Sequence, residues 1–289
     1  MSPAPRKIGK PLAALLAAVA VAGAGTLFAL GTQGADAAPA GSAASAATKA
    51  AYELPPADAR FDYQLGGAYK PAKGVKVVTR DRTAAPAKGK YGICYVNAFQ
   101  AQPDATGWWK KKHPDLLLKN ASGAYVVDGD WDELILDTSS AAKRKKLAAI
   151  VGGWIDGCAE KGYQAVEPDN LDSYTRSQKL LTRSDAVAFT KLLAARAHRA
   201  GLAIGQKNTS ELGTRGKKAG LDFAVTEECG RYDECGDYTK VYGNHVIVIE
   251  YTKKAFAKTC DAYGDQLSVV RRDLDVTPRG SKGYVYQAC

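Results

Sequence analysis

The stretch Val166-Glu167-Pro168-Asp169-Asn170 closes an apolar run abruptly with two carboxylates and an amide. A later run, Phe223-Ala224-Val225-Thr226-Glu227-Glu228, ends the same way. Strands of a parallel barrel all point in one direction, so their C-terminal ends share one face. If both runs are strands of such a barrel, their acidic ends meet at one mouth.

Working outward, short apolar runs recur between amphipathic segments. They predict strands at Phe61–Leu65, Val75–Thr79, Tyr91–Asn97, Tyr163–Glu167, Ala203–Gln206, Asp222–Thr226, His245–Ile249 and Leu267–Val270. Most are continuous rather than alternating, as expected of strands covered on both faces. Thr138-Ser139-Ser140 can cap a helix carrying Leu147, Ile150, Val151, Trp154, Ile155 and Cys158 at helical spacing, with Gly162 stopping it. Ser184 is the expected cap of a second helix that buries Phe189, Leu192 and Leu193 and ends at Gly201. Strand and helix alternating eight times make an α/β fold, a single-domain (β/α)8 TIM barrel, with an open doubly wound sheet as the alternative. Residues 100–137 are an irregular, aromatic-rich insert. Its Trp108, Trp109, Tyr125 and Trp131 suit a lid or sugar platform, with buried packing expected for at least two of them.

The N-terminal region sets the compartment. Arg6, Lys7 and Lys10 precede an Ala/Leu/Val-rich stretch, and Ala35-Asp36-Ala37 is a small-residue cleavage signal, so residues 1–37 read as a signal peptide. The apolar stretch is long enough to be read also as a retained membrane anchor. Residues 38–51 form a low-complexity linker, and the globular domain is expected over 52–289. The formal charge of +10 falls to +8 without the leader. With no aromatic interleaving or Arg-rich run, that excess does not point to nucleic acid. Six cysteines in an exported chain favour disulfides. Cys229 and Cys235 close a short loop, Cys260 and Cys289 can pin the C-terminus to the last helix, and Cys94 is left with Cys158. No CxxC pair or histidine cluster offers a metal site, and none is expected.

The expected strands end in polar residues: Arg80-Asp81, Asn97, Asp169-Asn170, Lys207-Asn208, Glu227-Glu228, Glu250-Tyr251 and Arg272-Asp273. Such residues also cap following helices, but seven together point to a functional face. His113, His198 and His245 all fall away from it, and there is no G-x-S-x-G elbow, so a Ser/His/Asp triad has no members. Dinucleotide and phosphate-loop motifs are absent, and no cofactor is expected. Acid–base work then falls to Asp and Glu, and paired carboxylates across a mouth are what glycosidic cleavage uses. Lys207, between the two acidic strands, is placed to lower the pKa of a carboxylate that stays ionised, although a surface ion pair explains it equally well.

The segments Phe61–Leu65, Ile93–Asn97, Val166–Asn170, Gly205–Asn208, Phe223–Cys229 and Val248–Tyr251 resemble, in this order, the endo-α-1,4-polygalactosaminidase family of glycoside hydrolases. The resemblance covers nearly everything from about residue 60 onward. It implies a TIM-barrel enzyme that cuts α-1,4-linked galactosamine polymers internally without a cofactor. The family's catalytic Asp and Glu fall on Asp169 and Glu227; Asp169 is expected to be the nucleophile and Glu227 the general acid/base, with Glu167 and Glu228 as competitors by strand alternation. Asp62, Tyr95, Asn97, Glu167, Asn170, Lys207, Asn208, Glu250 and Tyr251 are the expected substrate contacts. The partner is then a polysaccharide, bound by a secreted protein expected to be a monomer without a stable protein partner. Galactosamine is cationic, so an excess of positive charge calls for a locally acidic mouth or an N-acetylated substrate. A catalytically silent, carbohydrate-binding barrel of the cell wall is the alternative reading.

Overall fold

A computed structural model describes residues 52–289; the expected signal peptide and linker lie outside the described residues. Eight parallel strands run around the molecule: β1 (Phe61–Gln64), β2 (Val77–Asp81), β3 (Tyr91–Asn97), β7 (Ala165–Asp169), β8 (Ala203–Lys207), β9 (Phe223–Glu227), β10 (Val246–Glu250) and β11 (Ser268–Arg272). Their order in the sheet is their order in the chain. A short antiparallel strand, β12 (Tyr286–Ala288), extends the sheet beyond β11. The seam back to β1 is spanned by Ala59 N donating to Ser268 Oγ at 3.0 Å and Tyr286 Oη donating to the Phe61 carbonyl at 3.2 Å. The TIM-barrel expectation holds.

The strands are apolar on both faces because each face meets a different core. Phe61, Tyr63, Val77, Ile93, Ala165, Ala203, Phe223, Val225, Ile247, Ile249 and Val270 fill the barrel interior. The intervening residues, among them Cys94, Val96, Val166, Ile204, Ala224 and Val248, pack outward against the helices. Burying one such Phe or Ile side chain contributes roughly 1.5–3 kcal/mol. Gly205 faces Phe223 across the β8–β9 ladder, and a Cβ there would sit 2.9 Å from the Phe223 ring. A side chain at 205 would displace that ring.

The outer layer is α2 (Ala141–Glu160), α3 (Arg183–Arg199), the short α4 (Thr214–Lys218), α5 (Cys229–Tyr232), α6 (Cys235–Tyr242) and α7 (Lys253–Tyr263). Ser140 caps α2 by accepting from Lys143 N, and Gly162 ends it at φ +87°. Three details differ from expectation. The first two crossovers, 65–76 and 82–90, are loops, because Gly66, Gly67, Pro71 and Gly74 in one and Pro86 and Gly89 in the other oppose helix. Thr182, not Ser184, caps α3, because Asp185 at the third helical position returns a bond to the Thr182 backbone. Leu192 stands 41% exposed, one position off the stripe made by Phe189 and Leu193.

The three expected disulfides, Cys94–Cys158, Cys229–Cys235 and Cys260–Cys289, are all formed. The insert is more ordered than its sequence suggests. Helix α1 (Thr106–Lys112) accompanies a small antiparallel sheet of β4 (Gln100–Ala101), β6 (Glu133–Ile135) and β5 (Val127–Asp128), in that order. Trp109 is buried and Tyr125 half-buried, while Trp108 and Trp131 are exposed.

Candidate active site

The strands continue about two residues past their last apolar position, so the polar ends are still part of the ladder. Alternation then decides which of them enter the mouth. From the inward positions Ala165, Ala203 and Phe223, every second residue is Glu167 and Asp169 on β7, Gly205 and Lys207 on β8, and Val225 and Glu227 on β9. The residue that follows each strand, Asn170, Asn208 or Glu228, has φ between 47° and 66°. This left-handed conformation is tolerated by Asn better than by other side chains, and it ends the extended backbone directly after Asp169, Lys207 and Glu227.

Lys207 is the centre of the site. Its Nζ lies 3.3 Å from Glu167 Oε1, 3.3 Å from Asp169 Oδ2 and 3.3 Å from Glu227 Oε2. Its side chain is 3% exposed, so this is a buried cation and not a surface ion pair. Burial alone pushes the ammonium toward neutrality, but the carboxylates of Asp169, Glu227 and Glu167 outweigh it and hold the charge well above the ordinary range.

Each carboxylate has further partners. Asp169 Oδ2 accepts from Tyr95 Oη at 2.8 Å, and Asp169 Oδ1 from Asn170 N at 2.7 Å. Glu227 Oε2 accepts from Asn208 Nδ2 at 3.0 Å, and Glu227 Oε1 from Tyr251 Oη. Asn208 Oδ1 in turn accepts from Glu227 N at 2.8 Å, which fixes the amide orientation. Glu167 is fully buried; burial, opposed by Lys207, pushes its carboxyl up to about 7. Its Oε1 accepts from Tyr63 Oη at 2.8 Å. Burial and the adjacent carboxylates keep Tyr63, Tyr95 and Tyr251 protonated far above their usual range, so all three act as donors.

Asn97 and Asn170 form the next contact outward. Asn170 Nδ2 donates to Asn97 Oδ1 at 3.0 Å, and Asn97 Nδ2 donates to Glu133 Oε2 at 2.7 Å. Glu133 comes from β6 of the insert, and burial, offset by Asn97 and reinforced by Asp169, pushes its carboxyl up to about 7. The insert is locked here by Gln100 Nε2, which donates to Asp128 Oδ2 at 2.7 Å and to Ser173 Oγ at 2.8 Å, and by Arg176 paired with Asp128.

Tyr95, Asn97, Glu167, Asn170, Lys207, Asn208 and Tyr251 therefore join Asp169 and Glu227, but two expected contacts do not. Asp62 points off the outer face of β1, bound by Gln64 Nε2 at 2.8 Å, by Tyr69 Oη at 2.7 Å and by Arg272 at 3.5 Å. Glu250 is fully buried in the helix layer, where its Oε1 accepts from Gly230 N at 2.8 Å and from Thr259 Oγ1 at 3.2 Å. In each case the inward position is one residue away, at Tyr63 and Tyr251. Glu228, one residue on from Glu227 and on the opposite parity, pairs with Arg231 at 2.7 Å. Arg80 also lies on the outer face, donating to Gln64 and to the carbonyls of Ala85 and Tyr69.

Residues 41–289 match the family model of glycoside-hydrolase family GH114. The chain belongs to that family. It is thus a glycoside hydrolase on an α/β barrel, and this GH114 fold has solved counterparts. The crystal structure of Aspergillus fumigatus Ega3 in complex with galactosamine matches with a TM-score of 0.66 and 24% identity, over 83% of this chain and 98% of that one. The glycoside hydrolase domain of PelA from Pseudomonas aeruginosa matches with a TM-score of 0.53 and 14% identity, over 77% of this chain and 97% of that one. No curated protein sequence matches the GH114 chain. At these identities the two structures support the fold.

Proposed function

We propose that this GH114 chain is an exported endo-hydrolase of α-1,4-linked galactosamine-type polysaccharide, acting with retention through Asp169 as nucleophile and Glu227 as general acid/base. The observation that carries the proposal is the shared cation: the Asp169 and Glu227 carboxylates both lie 3.3 Å from Lys207 Nζ. Two oxygens each 3.3 Å from one atom are at most about 6.6 Å apart, which accommodates the roughly 5–5.5 Å of retaining pairs and leaves out nearly all of the roughly 6.5–9.5 Å of inverting ones.

Asp169 suits the nucleophile because Tyr95 and the Asn170 backbone donate to it and Lys207 pairs with it, which fixes the carboxylate at the inward end of β7. Glu227 suits the acid/base because its side chain is the more exposed of the two, 27% against 18%, where leaving group and water must pass. Glu227 gives its proton to the glycosidic oxygen as Asp169 attacks the anomeric carbon, so the C–O bond to the leaving sugar breaks and a glycosyl ester forms. Glu227, now a carboxylate, takes a proton from water. That water attacks the same carbon, the ester bond breaks, and Asp169 and Glu227 return to their starting states.

The choice of sugar rests on family membership and on the galactosamine bound to Ega3. The carboxylates around the single Lys207 also meet the need for a locally acidic mouth in a cationic protein. Export is supported by the three disulfides. Among the described residues no helix is long and apolar enough to cross a membrane. The test is oligosaccharide release from α-1,4-galactosamine polymer: Asp169→Asn and Glu227→Gln should each abolish it while leaving the unfolding midpoint and polymer binding largely intact. Substantial turnover by either variant contradicts the assignment.

A further inference from the structure

Glu133 differs from the other carboxylates of the mouth in having no cation. It is 9% exposed, yet no Lys, Arg or His lies within salt-bridge distance among the described residues, and Lys207 is shared by the other three. One of its oxygens is fixed: Oε2 accepts from Asn97 Nδ2 at 2.7 Å and from Asn170 Nδ2 at 3.5 Å. The other, Oε1, has no hydrogen-bond partner among the described residues and is not among the atoms sealed from solvent. A carboxylate buried to this degree and left without a counter-charge is costly. The charges that act on it most strongly, those of Asp169, Asp128 and Asp104, are all of its own sign, which adds to that cost.

The position of Glu133 is as informative as its lack of a partner. Asn97 lies opposite Asp169 in the β3–β7 register, and Asn170 is bonded through its backbone to Asp169 Oδ1. Glu133 is thus one side chain beyond the proposed nucleophile, held on an insert strand and not on the barrel itself. A sugar whose anomeric carbon meets Asp169 carries its 2-substituent on the adjacent carbon.

We propose that Glu133 is a specificity-determining residue whose free oxygen receives the ammonium group of an unacetylated amino sugar seated beside Asp169. The inference rests on the proposed action on galactosamine polymers. An ammonium supplies the missing counter-charge and a donor for Oε1; an N-acetyl group supplies no charge and brings a methyl to a site lined by amides and carboxylates. The Glu133 carboxyl, already pushed up to about 7, ionises more readily when a cation binds.

The test is Glu133→Gln, which keeps an oxygen for Asn97 and Asn170 and removes only the charge. Oligomers of α-1,4-galactosamine and their N-acetylated forms are compared for turnover and, by calorimetry, for binding. The expected result is a KM for the galactosamine oligomer raised roughly tenfold or more, as for loss of a hydrogen bond to a charged group. Turnover number should be nearly unchanged, and the N-acetylated oligomer unaffected. Equal loss on both oligomers, or a lowered kcat with unchanged KM, means that Glu133 only positions Asn97 and Asn170 and overturns the proposal. So does wild-type binding that does not distinguish the two oligomers. If the wild type cleaves neither oligomer, the proposed activity fails; tighter wild-type binding of the galactosamine form, lost in Glu133→Gln, then still upholds the Glu133 role.

Discussion

Replacing Lys207 with Met removes the one cation shared by Glu167, Asp169 and Glu227 while keeping most of the side-chain volume. At 3.3 Å each ion pair is about 5 kcal/mol of attraction at an effective dielectric of ~20. Desolvating the charges takes back several kcal/mol per ion, so the net effect is better judged from the loss of one partner of a buried pair, about 3–5 kcal/mol. The penalty concentrates at Glu167, whose side chain is fully buried, whereas Asp169 and Glu227 keep access to water. It depends on pH with a definite sign. Below about 7 the Glu167 carboxyl carries its proton with or without Lys207, so its share is absent; above about 7 the wild-type glutamate is ionised and paired, whereas in the variant, with burial no longer opposed by Lys207, it keeps its proton and the deficit grows with pH. Urea unfolding with the disulfides intact should show a deficit of about 3–5 kcal/mol at pH 8 and clearly less at pH 5, at an unchanged m-value. A deficit below about 1 kcal/mol at pH 8, or one equal at both pH values, refutes the reasoning.

Tyr251→Phe removes a donor from Glu227 but leaves Asn208 in place, so kcat should fall roughly tenfold or more. Glu228→Gln, which breaks only the contact with Arg231, should leave kcat within about twofold and stability within about 1 kcal/mol. Replacing Cys94 and Cys158 together with Ser opens a 64-residue loop and should lower stability by about 2–5 kcal/mol.

The barrel was legible because its strands are apolar on both faces, a pattern that survives errors of a residue or two at the ends. Asp169, Lys207 and Glu227 were legible for a related reason: each is the first or second polar residue after such a run, and each falls on the inward parity. The same parity explains the failures. At β1 and β10 a charged residue stands next to a tyrosine, and charge favours Asp62 and Glu250, whereas the pleat selects Tyr63 and Tyr251. A single-residue shift in facing moves a side chain from mouth to helix layer. Glu133 could not be found that way, since it enters from an insert strand of three residues that shares no period with the barrel. Ser184 and Thr182 were both acceptable caps, and only the reciprocal bond with Asp185 separates them.

The central claim is a retaining cut made by Asp169 and Glu227, and proton NMR of the first-formed products from an α-1,4-galactosamine oligomer tests it most directly. The account predicts that the new reducing end appears first as the α-anomer and then mutarotates. A β-anomer appearing first would mean inversion, and Asp169 could not then be the nucleophile.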